Sequence, residues 1–495
     1  MPRTSAFAII TGAAGALCAL ALAAEPPPLG LPAPDRAAPA MPVATPQAAP
    51  LPGICTLPIN LPTALQLANV KNLDVALASE RIRLALAQEN RLRTLWLPTI
   101  FLGGDYARQD GQIQDVQGHV FNDNKGSLMA GAGPVMVFAV TDAIFEPLVA
   151  RQIVQSRQAS LQAATNDTML AVAEAYANVQ QARGELAGAE EALRRSEEVT
   201  GRIRELAPKL VPELEVSRAR AELSRRRQAV HAARERWRVA SAELGRLLRL
   251  DPVVLVEPVE PPHLEISLVP PGKPLDDLVA QGLTSRPELA AQQALVQAAL
   301  KRIRQEHLRP LVPSVLLRGN ATNPAGILSS GVFGGGVSDR MGNFEARNSL
   351  DLEVLWEFQN LGLGNRARIQ ERRSEHELSV LDLFRVQDRI AAEVVQAHAQ
   401  VQSAAARLGE AETGLQAATE SVKENFEGMK QTKRPGGDIV LLVVRPQEAI
   451  AAVQALAQAY ADYYGTVADY NRAQFRLYRA LGNPAQELTG CTLEK

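Results

Sequence analysis

The chain is poor in aromatic residues, in net charge and in long apolar runs, and each shortage excludes a class of protein. Aromatic residues make up only 4% of its 495 residues, which is low for a chain that must fill compact cores. A formal net charge of −2 gives no general attraction to nucleic acid or to an anionic surface. Beyond the N-terminus there is no run of about 18 apolar residues, so no further transmembrane helix is expected.

The chain also lacks the residue patterns of common enzyme and metal sites. Neither H-E-x-x-H nor C-x-x-C occurs, and the six histidines are scattered. The segment Gly362–Ala367 matches the G-x-G-x-x-A pattern of dinucleotide sites, but the strand before it alternates acidic and apolar residues. A parallel core strand is apolar throughout, so these glycines are expected to ease a bend instead. We therefore predict no enzyme, with no catalytic residues, no cofactor and no metal site.

The N-terminus has the pattern of an export signal. Arg3 precedes an apolar run that ends in the small-residue sequence Ala21–Ala23. Residues 1–23 are therefore predicted to be a signal peptide, with an anchor helix or a lipid-modified Cys18 as alternatives. Residues 24–56 follow as a Pro/Ala-rich linker that cannot bury a core.

Two long rods of helix-forming residues dominate the rest of the chain. The first runs from Pro147 to Ala207 and the second from about Asn365 to Lys433, and in both the apolar residues recur every seven positions. This period predicts coiled-coil packing against neighbouring helices. Gly184 and Gly188 each weaken the first rod by about 1 kcal/mol relative to Ala, and close packing is the expected compensation. The apolar positions are Val172, Val179, Leu186, Leu193, Val401, Leu408, Leu415 and Val422.

The two rods belong to a layout that occurs twice. Before each rod lies a shorter helix ended by a proline, followed by two strands joined by a Gly/Asn/Asp-rich loop. After each rod, a proline-marked turn leads into a returning helix. We therefore predict an internal duplication, with a first structural repeat at 57–272, a second at 273–486 and a C-terminal tail at 487–495.

The returning helices are too short to balance the rods. Residues 212–250 reach the length of a rod only when a second helix stacks end to end on them, and Pro287–Arg309 has the right length. By the same reasoning, the helix that ends at Leu481 should stack under the one that begins near Leu73. This arrangement would bring the start and the end of the folded chain together.

Two cysteines remain after signal cleavage, Cys55 and Cys491. An even pair in an exported protein is a candidate disulfide, and the expected stacking would make the two residues neighbours. Two unrelated thiols are the alternative.

The last predicted strand alternates two kinds of side chain. Leu352 and Val354 share one face, and Asp351 and Glu353 share the other. This pattern matches a membrane barrel strand whose acidic residues face the lumen, while a half-buried strand of a soluble sheet is the alternative. Four strands per chain cannot close a barrel, and an open edge cannot lie in lipid. Copies must therefore combine, two of them giving eight strands and three giving twelve.

Arginines crowd the start of the first returning helix. Glutamates lie among and near them along the same helix. A charge run of this kind is typical of a solvated, Glu-paired helix face, and a partner site is the alternative. The arginines are Arg218, Arg220, Arg225, Arg226 and Arg227.

The layout resembles that of the outer membrane factors, the TolC-like efflux proteins. Trp356–Arg368 and Asp142–Arg151 resemble the strand-to-helix joints of that family, and Ala240–Leu248 resembles one of its helix endings. The resemblance covers about Leu57 to Pro484. It implies a mainly α fold with a β-barrel portion: a long coiled-coil helical barrel, four membrane strands per chain and a 12-stranded barrel as a trimer. It also implies a location in the outer membrane with a periplasmic extension.

The mouth of such a tunnel is expected at the two turns, Leu206–Ser217 and Thr432–Pro446. The family often carries acidic residues just after the second turn, whereas this chain has Leu441 and Val444 there, with Asp438 as the nearest acid. One interpretation is an apolar periplasmic constriction that gates by dewetting. The other is that the two apolar residues pack between helices and that Asp438 caps the returning helix.

The predicted function is the outer-membrane channel component of a tripartite efflux or export system, acting as a passive conduit from periplasm to exterior. The resemblance implies a homotrimer in outer-membrane lipid that works with a periplasmic adaptor (membrane fusion) protein and an inner-membrane pump. A type I protein-secretion duct of the same fold and a periplasmic coiled-coil scaffold are the alternatives. No nucleic acid partner is expected, and the sequence leaves the cargo open.

Overall fold

The computed structural model describes residues 56–207, 210–270, 272–318, 330–337, 345–348, 350–433 and 441–483. The signal peptide, the linker up to residue 55 and the C-terminal tail lie outside these residues. So do Asp438, Cys55 and Cys491, and the roles expected of them stay predictions.

Eight helices lie within the described residues, in the same order in both halves of the chain. The first half contains α1 (Leu61–Lys71), α2 (Leu73–Arg93), α3 (Val140–Leu206) and α4 (Glu213–Leu248). The second half contains α5 (Leu275–Ser285), α6 (Pro287–Leu308), α7 (Leu363–Gly428) and α8 (Pro446–Ala480). Within the described part of the chain, no helix is both long enough and apolar enough to cross a membrane.

The rods α3 and α7 are the two long helices that the heptad pattern predicted. They have 67 and 66 residues, which corresponds to about 100 Å each. The start of α3 was predicted wrongly, because the helix begins at Val140 and Pro147 lies inside it rather than at its first position. The extra turns are held from outside the helix: Asp142 accepts hydrogen bonds from Arg309 (2.6 Å) and from Gln305 (2.8 Å), which lie at the end of α6.

The helices form a ribbon in which a long rod alternates with two half-length helices stacked end to end. Helix α2 stands on α4: Asn72 accepts from the backbone N–H of Asp74 at the start of α2, and its Nδ2 donates to Leu247 O at the end of α4 (3.4 Å). Helix α6 stands on α8, where Arg286 donates to Ala480 O (3.3 Å). Across the ribbon the order is α4 with α2, then α3, then α8 with α6, then α7.

The predicted stacking partners were therefore wrong, because the prediction stacked α6 on α4 and α2 on α8. Helix lengths allow either pairing. The choice is made by the parallel pair of short strands β1 (Thr56–Ile59) and β4 (Leu255–Pro258), which holds the beginning of the described chain beside the end of α4. The geometric argument that brought Cys55 and Cys491 together is lost with the predicted stacking.

One face of the ribbon carries a second layer at mid-length, here called the cover layer. It consists of β1, β4, α1, α5 and residues 259–270, and it encloses an apolar core against α3, α4, α7 and α8. Tyr176 on α3 is buried there, and its hydroxyl donates to Glu260 and to Ile59 O (3.0 Å). Burial and the hydrogen bond to Glu260 raise the pKa of Tyr176, so the residue stays a neutral donor. On α4 and α8 the anchors of the layer are Trp237, Ser241, Asn471 and Gln474.

Four rows of strands form one open sheet at the end of the ribbon. The first two rows are β2 (Thr99–Gln114) and β3 (Val120–Ala139), and the third is shared by β5 (Ser314–Arg318) and β6 (Ser330–Val337). The fourth is shared by β7 (Glu345–Asn348) and β8 (Asp351–Leu355). All neighbours are antiparallel, and within the described residues β2 and the fourth row pair on one side only. The sheet thus has the predicted number of rows and is not closed.

The first hairpin differs from its prediction. The Gly/Asn/Asp-rich loop predicted between its two strands would include Asp110–Gly111 and Asn122–Gly126, but these residues lie in the paired strands, which have 16 and 20 residues. The turn is confined to residues 115–119, where the Asp115 carboxylate accepts from the backbone N–H groups of Gln117 and His119 and Gly118 has a φ of 91°. Polar residues are typical of loops, but they are equally typical of a strand that packs against no core, as in this hairpin.

The glycine pattern before α7 forms a bend, as expected. Gly362 has a φ of 90°, a conformation that favours glycine, and α7 begins at the next residue. Asn365 fixes the bend by accepting from the backbone N–H of Gln359 (2.8 Å).

Candidate functional site

The face of the ribbon opposite the cover layer carries charged and amide side chains. On α8, Gln474 holds the cover layer. Arg472 comes two residues before it and Arg476 two residues after it, so both side chains lie on the opposite side of the helix, about 200° around its axis. Arg476 donates to Glu174 of α3 (2.6 Å), and Arg472 contacts Gln181 of α3 (3.1 Å). These arginines therefore tie α8 to α3 on the uncovered side.

The arginines of this polar face are matched by carboxylates on the neighbouring helices. Arg472 pairs with Asp469 (2.6 Å), and Arg479 pairs with Asp167 of α3 and with Glu393 of α7. Arg407 of α7 reaches Asp469 as well (3.2 Å). The polar face is thus crosslinked, wettable and nearly balanced in charge at mid-length.

An ion-pair network around the buried Arg286 closes the joint between α6 and α8. The side chain of Arg286 is only 1% exposed, and it donates to Glu288 (2.8 Å) and to Glu393 (2.9 Å). Arg479 shares both carboxylates, at 2.9 and 2.7 Å. Burial alone would raise the pKa of Glu288, but the hydrogen bond and charge of Arg286, with the charge of Arg479, hold it below the ordinary value of 4.5.

This network predicts a stability that is lost in acid. Because the pKa of Glu288 is lowered by folding, its contribution is present above the ordinary pKa of 4.5 and is lost as the pH falls through the lowered value. Glu288→Gln should therefore lower the melting temperature of the helices at neutral pH, and the difference from wild type should shrink at about pH 3. Circular dichroism melts at both pH values measure this. Glu243→Gln, in an exposed pair with Arg246, is the control with a small effect, and a loss that does not change with pH would contradict the assignment.

At the end away from the sheet, the turn between α3 and α4 and the turn between α7 and α8 share one apolar cluster. Ile203 and Met429 are fully buried in it. The second turn contains a short antiparallel pair, β9 (Thr432–Lys433) with β10 (Leu441–Leu442). The two turns expected to form the mouth therefore do lie together.

Two hydrogen bonds link the returning helices α4 and α8 near this end. Gln447 Nε2 donates to Glu215 Oε1 (2.9 Å), and Gln454 Nε2 donates to Glu222 Oε2 (2.8 Å). The side chain of Glu222 is only 4% exposed and also accepts from Arg226 Nε (2.7 Å). Farther up the ribbon α3 separates α4 from α8, so these links mark the level at which the two helices converge.

The residues of these links were not singled out in the sequence. A signal was present in the spacing. Glu215 and Glu222 are seven residues apart, and so are Gln447 and Gln454, so each glutamine follows its glutamate by the same 232 positions. Paired polar residues at heptad spacing, at matching places of the two halves, would have identified them.

The residues predicted from the sequence are placed as follows. Leu441 lies in the short pair at the second turn, and Val444 packs on the apolar cluster beside Gly428, where an added methyl group would have no room. This contact favours the packing interpretation of Val444, and a constricting role stays a prediction. On β8, Asp351 and Glu353 are half-buried while the apolar residues between and beyond them are exposed. The two faces of this strand thus differ as the sequence indicated, and a lumen-facing role for its acids stays a prediction.

Comparison with known proteins gives matches only in structure. No family model matches the chain, and no curated protein matches it in sequence. The structure of the outer-membrane channel OprN matches with a TM-score of 0.68 and 17% identity, covering 86% of this chain and 90% of that one. The Campylobacter jejuni CmeC outer membrane channel matches with a TM-score of 0.69 and 14% identity, covering 86% and 85%. The open state of the Neisseria gonorrhoeae MtrE outer membrane channel matches with a TM-score of 0.63 and 16% identity, covering 86% and 89%.

These matched structures are channels and not enzymes, and they span most of this chain. At 14–17% identity the likeness concerns the fold. The chain therefore has the fold of these outer-membrane channels, in agreement with its resemblance to the outer membrane factors.

Proposed function

We propose that this chain is the outer-membrane channel component of a tripartite efflux or export system. Three copies would form a passive conduit that crosses the outer membrane and extends into the periplasm. The observation that carries the proposal is a sheet of four rows, with both edges open within the described residues, at the end of a helical ribbon that is polar on one face.

The open sheet is the first part of the argument. Exposed apolar side chains, Ile100, Leu102, Leu352 and Val354, suit contact with lipid, whereas a soluble protein rarely leaves such a surface uncovered. Unpaired backbone groups at an edge cost several kcal/mol each in lipid, so both edges need partners. Three copies give twelve rows, enough for a barrel with a lumen, and the acidic side of β8 would then face water.

The polar face of the ribbon is the second part. When three ribbons close side by side, the cover layer belongs on the outside, because it would fill a narrow lumen. The inner wall is then the crosslinked polar face with Arg472, Arg476 and Arg479. A wetted wall without a large excess of one charge suits a passage for varied solutes.

The partners follow from the function and are part of the proposal. A passive conduit needs an energy source elsewhere, so we expect an inner-membrane pump and a periplasmic adaptor (membrane fusion) protein. A type I protein-secretion duct would use the same fold with a different cargo. A periplasmic scaffold is less consistent with the exposed apolar face of the sheet.

Fractionation and conductance test this function together. The natural protein should sediment with the outer membrane, should need detergent for extraction, and should give unitary current steps in planar lipid bilayers. Detergent without protein is the control for the current. A chain recovered in the soluble fraction as a monomer, with no current steps, would refute the channel and favour the scaffold.

A further inference from the structure

We propose that a band of arginines just below the sheet binds the phosphate groups of anionic phospholipids in the periplasmic leaflet of the outer membrane. The band is here called the arginine girdle. It consists of Arg151 of α3, Arg304 of α6, and Arg366 and Arg373 of α7. The inference rests on the proposed function, because the girdle meets lipid only when the sheet crosses the membrane.

The rim of the sheet next to the helices carries aromatic side chains on its apolar face. Val354 pairs with Val315, which pairs in turn with Phe138, so these three side chains share one face. The ring of Phe138 contacts that of Trp96, just after the end of α2, with 4.6 Å between the ring centroids. Trp356, two residues after Val354, is exposed. Tryptophan is enriched where a membrane meets water, so this rim is expected near the periplasmic boundary of the hydrocarbon.

Below this rim, the exposed side chains of α3 and α6 change from apolar to basic. On α3, exposed Ile144 and Leu148 precede exposed Arg151, and the steps of four and three residues place all three on one side of the helix. On α6, which runs in the opposite direction, exposed Leu308 is nearer to the sheet and Arg304 lies one turn below it. An arginine at the lower border of an apolar surface keeps its charge at the level of the headgroups while its stem lies along that surface.

On α3 the girdle lies on the side that carries the cover layer. Arg151 and Tyr176 are 25 residues apart, which is close to seven turns of a helix, so they point in similar directions. Tyr176 holds the cover layer by donating to Ile59 O. Gln155 and Gln158 continue the exposed strip below Arg151. Because the cover layer belongs on the outside of the proposed channel, Arg151 faces outward.

On α7 the direction follows from the order of neighbouring residues. Glu393 lies on the polar face, where it binds α8, and the next residue, Val394, lies against α5 of the cover layer. One step along α7 therefore turns from the polar face toward the cover layer. Nearer the sheet, Arg372 faces an acid of α6, so Arg373 is turned from α6 toward the outer side. Arg366, one heptad before Arg373, shares its direction.

On α6 the two residues after Arg304 point to the adjacent helices. Gln305 donates to Asp142 of α3 (2.8 Å). Glu306 faces α7, where its charge acts on Arg372. Arg304 lies about 100° around the helix from Gln305 and about 200° from Glu306, so it points away from both adjacent helices. In a closed ring the narrower angle between two neighbours faces the lumen, and Arg304 therefore faces outward.

The four arginines of the girdle lie at similar heights. Arg309 of α6 is level with Asp142 of α3 through an ion pair at 2.6 Å. Gln292 of α6 is level with Ser379 of α7 through a hydrogen bond at 3.2 Å. Counted from these two contacts at about 1.5 Å per residue, the girdle falls within a band about 11 Å high. Headgroups fill a layer of about 5–8 Å on each side of the hydrocarbon, and long arginine side chains span the difference.

The girdle arginines are exposed and lack acidic partners. Within the described residues, none of the four makes an ion pair. The acids of α6, Glu288 and Glu306, face the neighbouring helices, and the outward strip of α3 from Ile144 to Gln158 contains no acid. A guanidinium group binds phosphate oxygens through two parallel hydrogen bonds. These uncompensated charges therefore suit an anion that comes from outside the chain.

The surroundings of the girdle favour a lipid as the source of that anion. Exposed apolar side chains lie directly above it on α3 and α6, and the apolar face of the sheet follows. A phospholipid can place its phosphate on the arginines and its acyl chains on this apolar surface at the same time. A zwitterionic headgroup brings its own cation beside the arginines, so an anionic phospholipid is expected to bind more tightly.

Removing the girdle charges tests the site. Native mass spectrometry of the full chain in detergent, titrated with phosphatidylglycerol or phosphatidylcholine, measures lipid binding. Wild type should bind phosphatidylglycerol at least about tenfold more tightly than phosphatidylcholine, and this ratio should fall to within about twofold in the girdle variant. The variant carries Arg151→Gln, Arg304→Gln, Arg366→Gln and Arg373→Gln. Excess inorganic phosphate should not displace the lipid from wild type, and displacement would show a simple anion site and overturn the lipid assignment.

The matched control removes the same charge from four exposed arginines far from the sheet, and it should keep the wild-type ratio of lipid affinities. It carries Arg204→Gln, Arg220→Gln, Arg238→Gln and Arg249→Gln. Circular dichroism and current steps in planar bilayers confirm that each variant is folded and assembled. The girdle is overturned when its variant keeps the wild-type ratio, or when the control lowers the ratio as much. A wild-type chain that is soluble and silent in bilayers refutes the proposed function instead, so the two failures are distinguishable.

Discussion

Alanine in place of both Gln447 and Gln454 is expected to raise the single-channel conductance of the assembled protein several-fold. These two amides hold α8 to Glu215 and Glu222 of α4 where the returning helices converge. A hydrogen bond to a charged group contributes about 1.5–3 kcal/mol, and a trimer would lose two per chain. In the proposed channel the mouth should then widen, and larger current steps in planar bilayers would report it.

A third glutamine on the same helix is the matched control. Gln458 donates to Asp462 of its own helix (2.7 Å) and makes no link to α4. Gln458→Ala should therefore leave the conductance at the wild-type value. Equal conductance in the double variant and the control would mean that the links between α4 and α8 do not restrict the passage.

A methyl group on Gly188 is expected to destabilise the protein by about 1–3 kcal/mol. The added carbon would lie 2.6 Å from the Cβ of Tyr460 on α8. That atom is fixed by the backbone of α8, so no rotation of the tyrosine relieves the clash, and α3 and α8 must separate. At Gly184 the added carbon would meet the ring of Tyr464, which can turn, so Gly184→Ala should cost less. Melting of the helices followed by circular dichroism measures both losses.

At Gly201 on the same helix, a methyl group is expected to have the opposite effect on stability. Its surroundings are open, so Gly201→Ala should stabilise α3 by up to about 1 kcal/mol through helix propensity alone. The sequence predicted that close packing offsets the two glycines in the first rod, and the tyrosines of α8 confirm it. Identical melting of the Gly188 and Gly201 variants would show that the helices do not pack as tightly as the structure has them.

The rods could be predicted because their signal is local. Apolar residues recur every seven positions, with no strong helix breaker among them. This pattern predicts most of the ends of α3 and α7 to within a few residues. The start of α3 was missed because its support is remote: Asp142 is held by Arg309, 167 residues away. A proline near the start is then tolerated, since the turns before it are anchored from outside the helix.

The features that were missed depend on single contacts between distant segments. Helix lengths could not choose between two stacking schemes, and the choice came from the cap residues Asn72 and Arg286 and from one short strand pair. The length of the first hairpin was missed because a strand outside the core has the composition of a loop. The hydrogen bonds between α4 and α8 were missed for the opposite reason: their heptad spacing was present, but glutamate and glutamine on a helix surface are too common to stand out.

The hairpin of β2 and β3 is longer than a membrane requires. About 9–11 residues cross a bilayer in a barrel, whereas these strands have 16 and 20, so in the proposed channel their far ends would stand clear of the lipid on the outer side. The turn held by Asp115 would then be among the first parts of the cell that an antibody or a bacteriophage meets. A short epitope tag placed in this turn should be stained on intact bacteria.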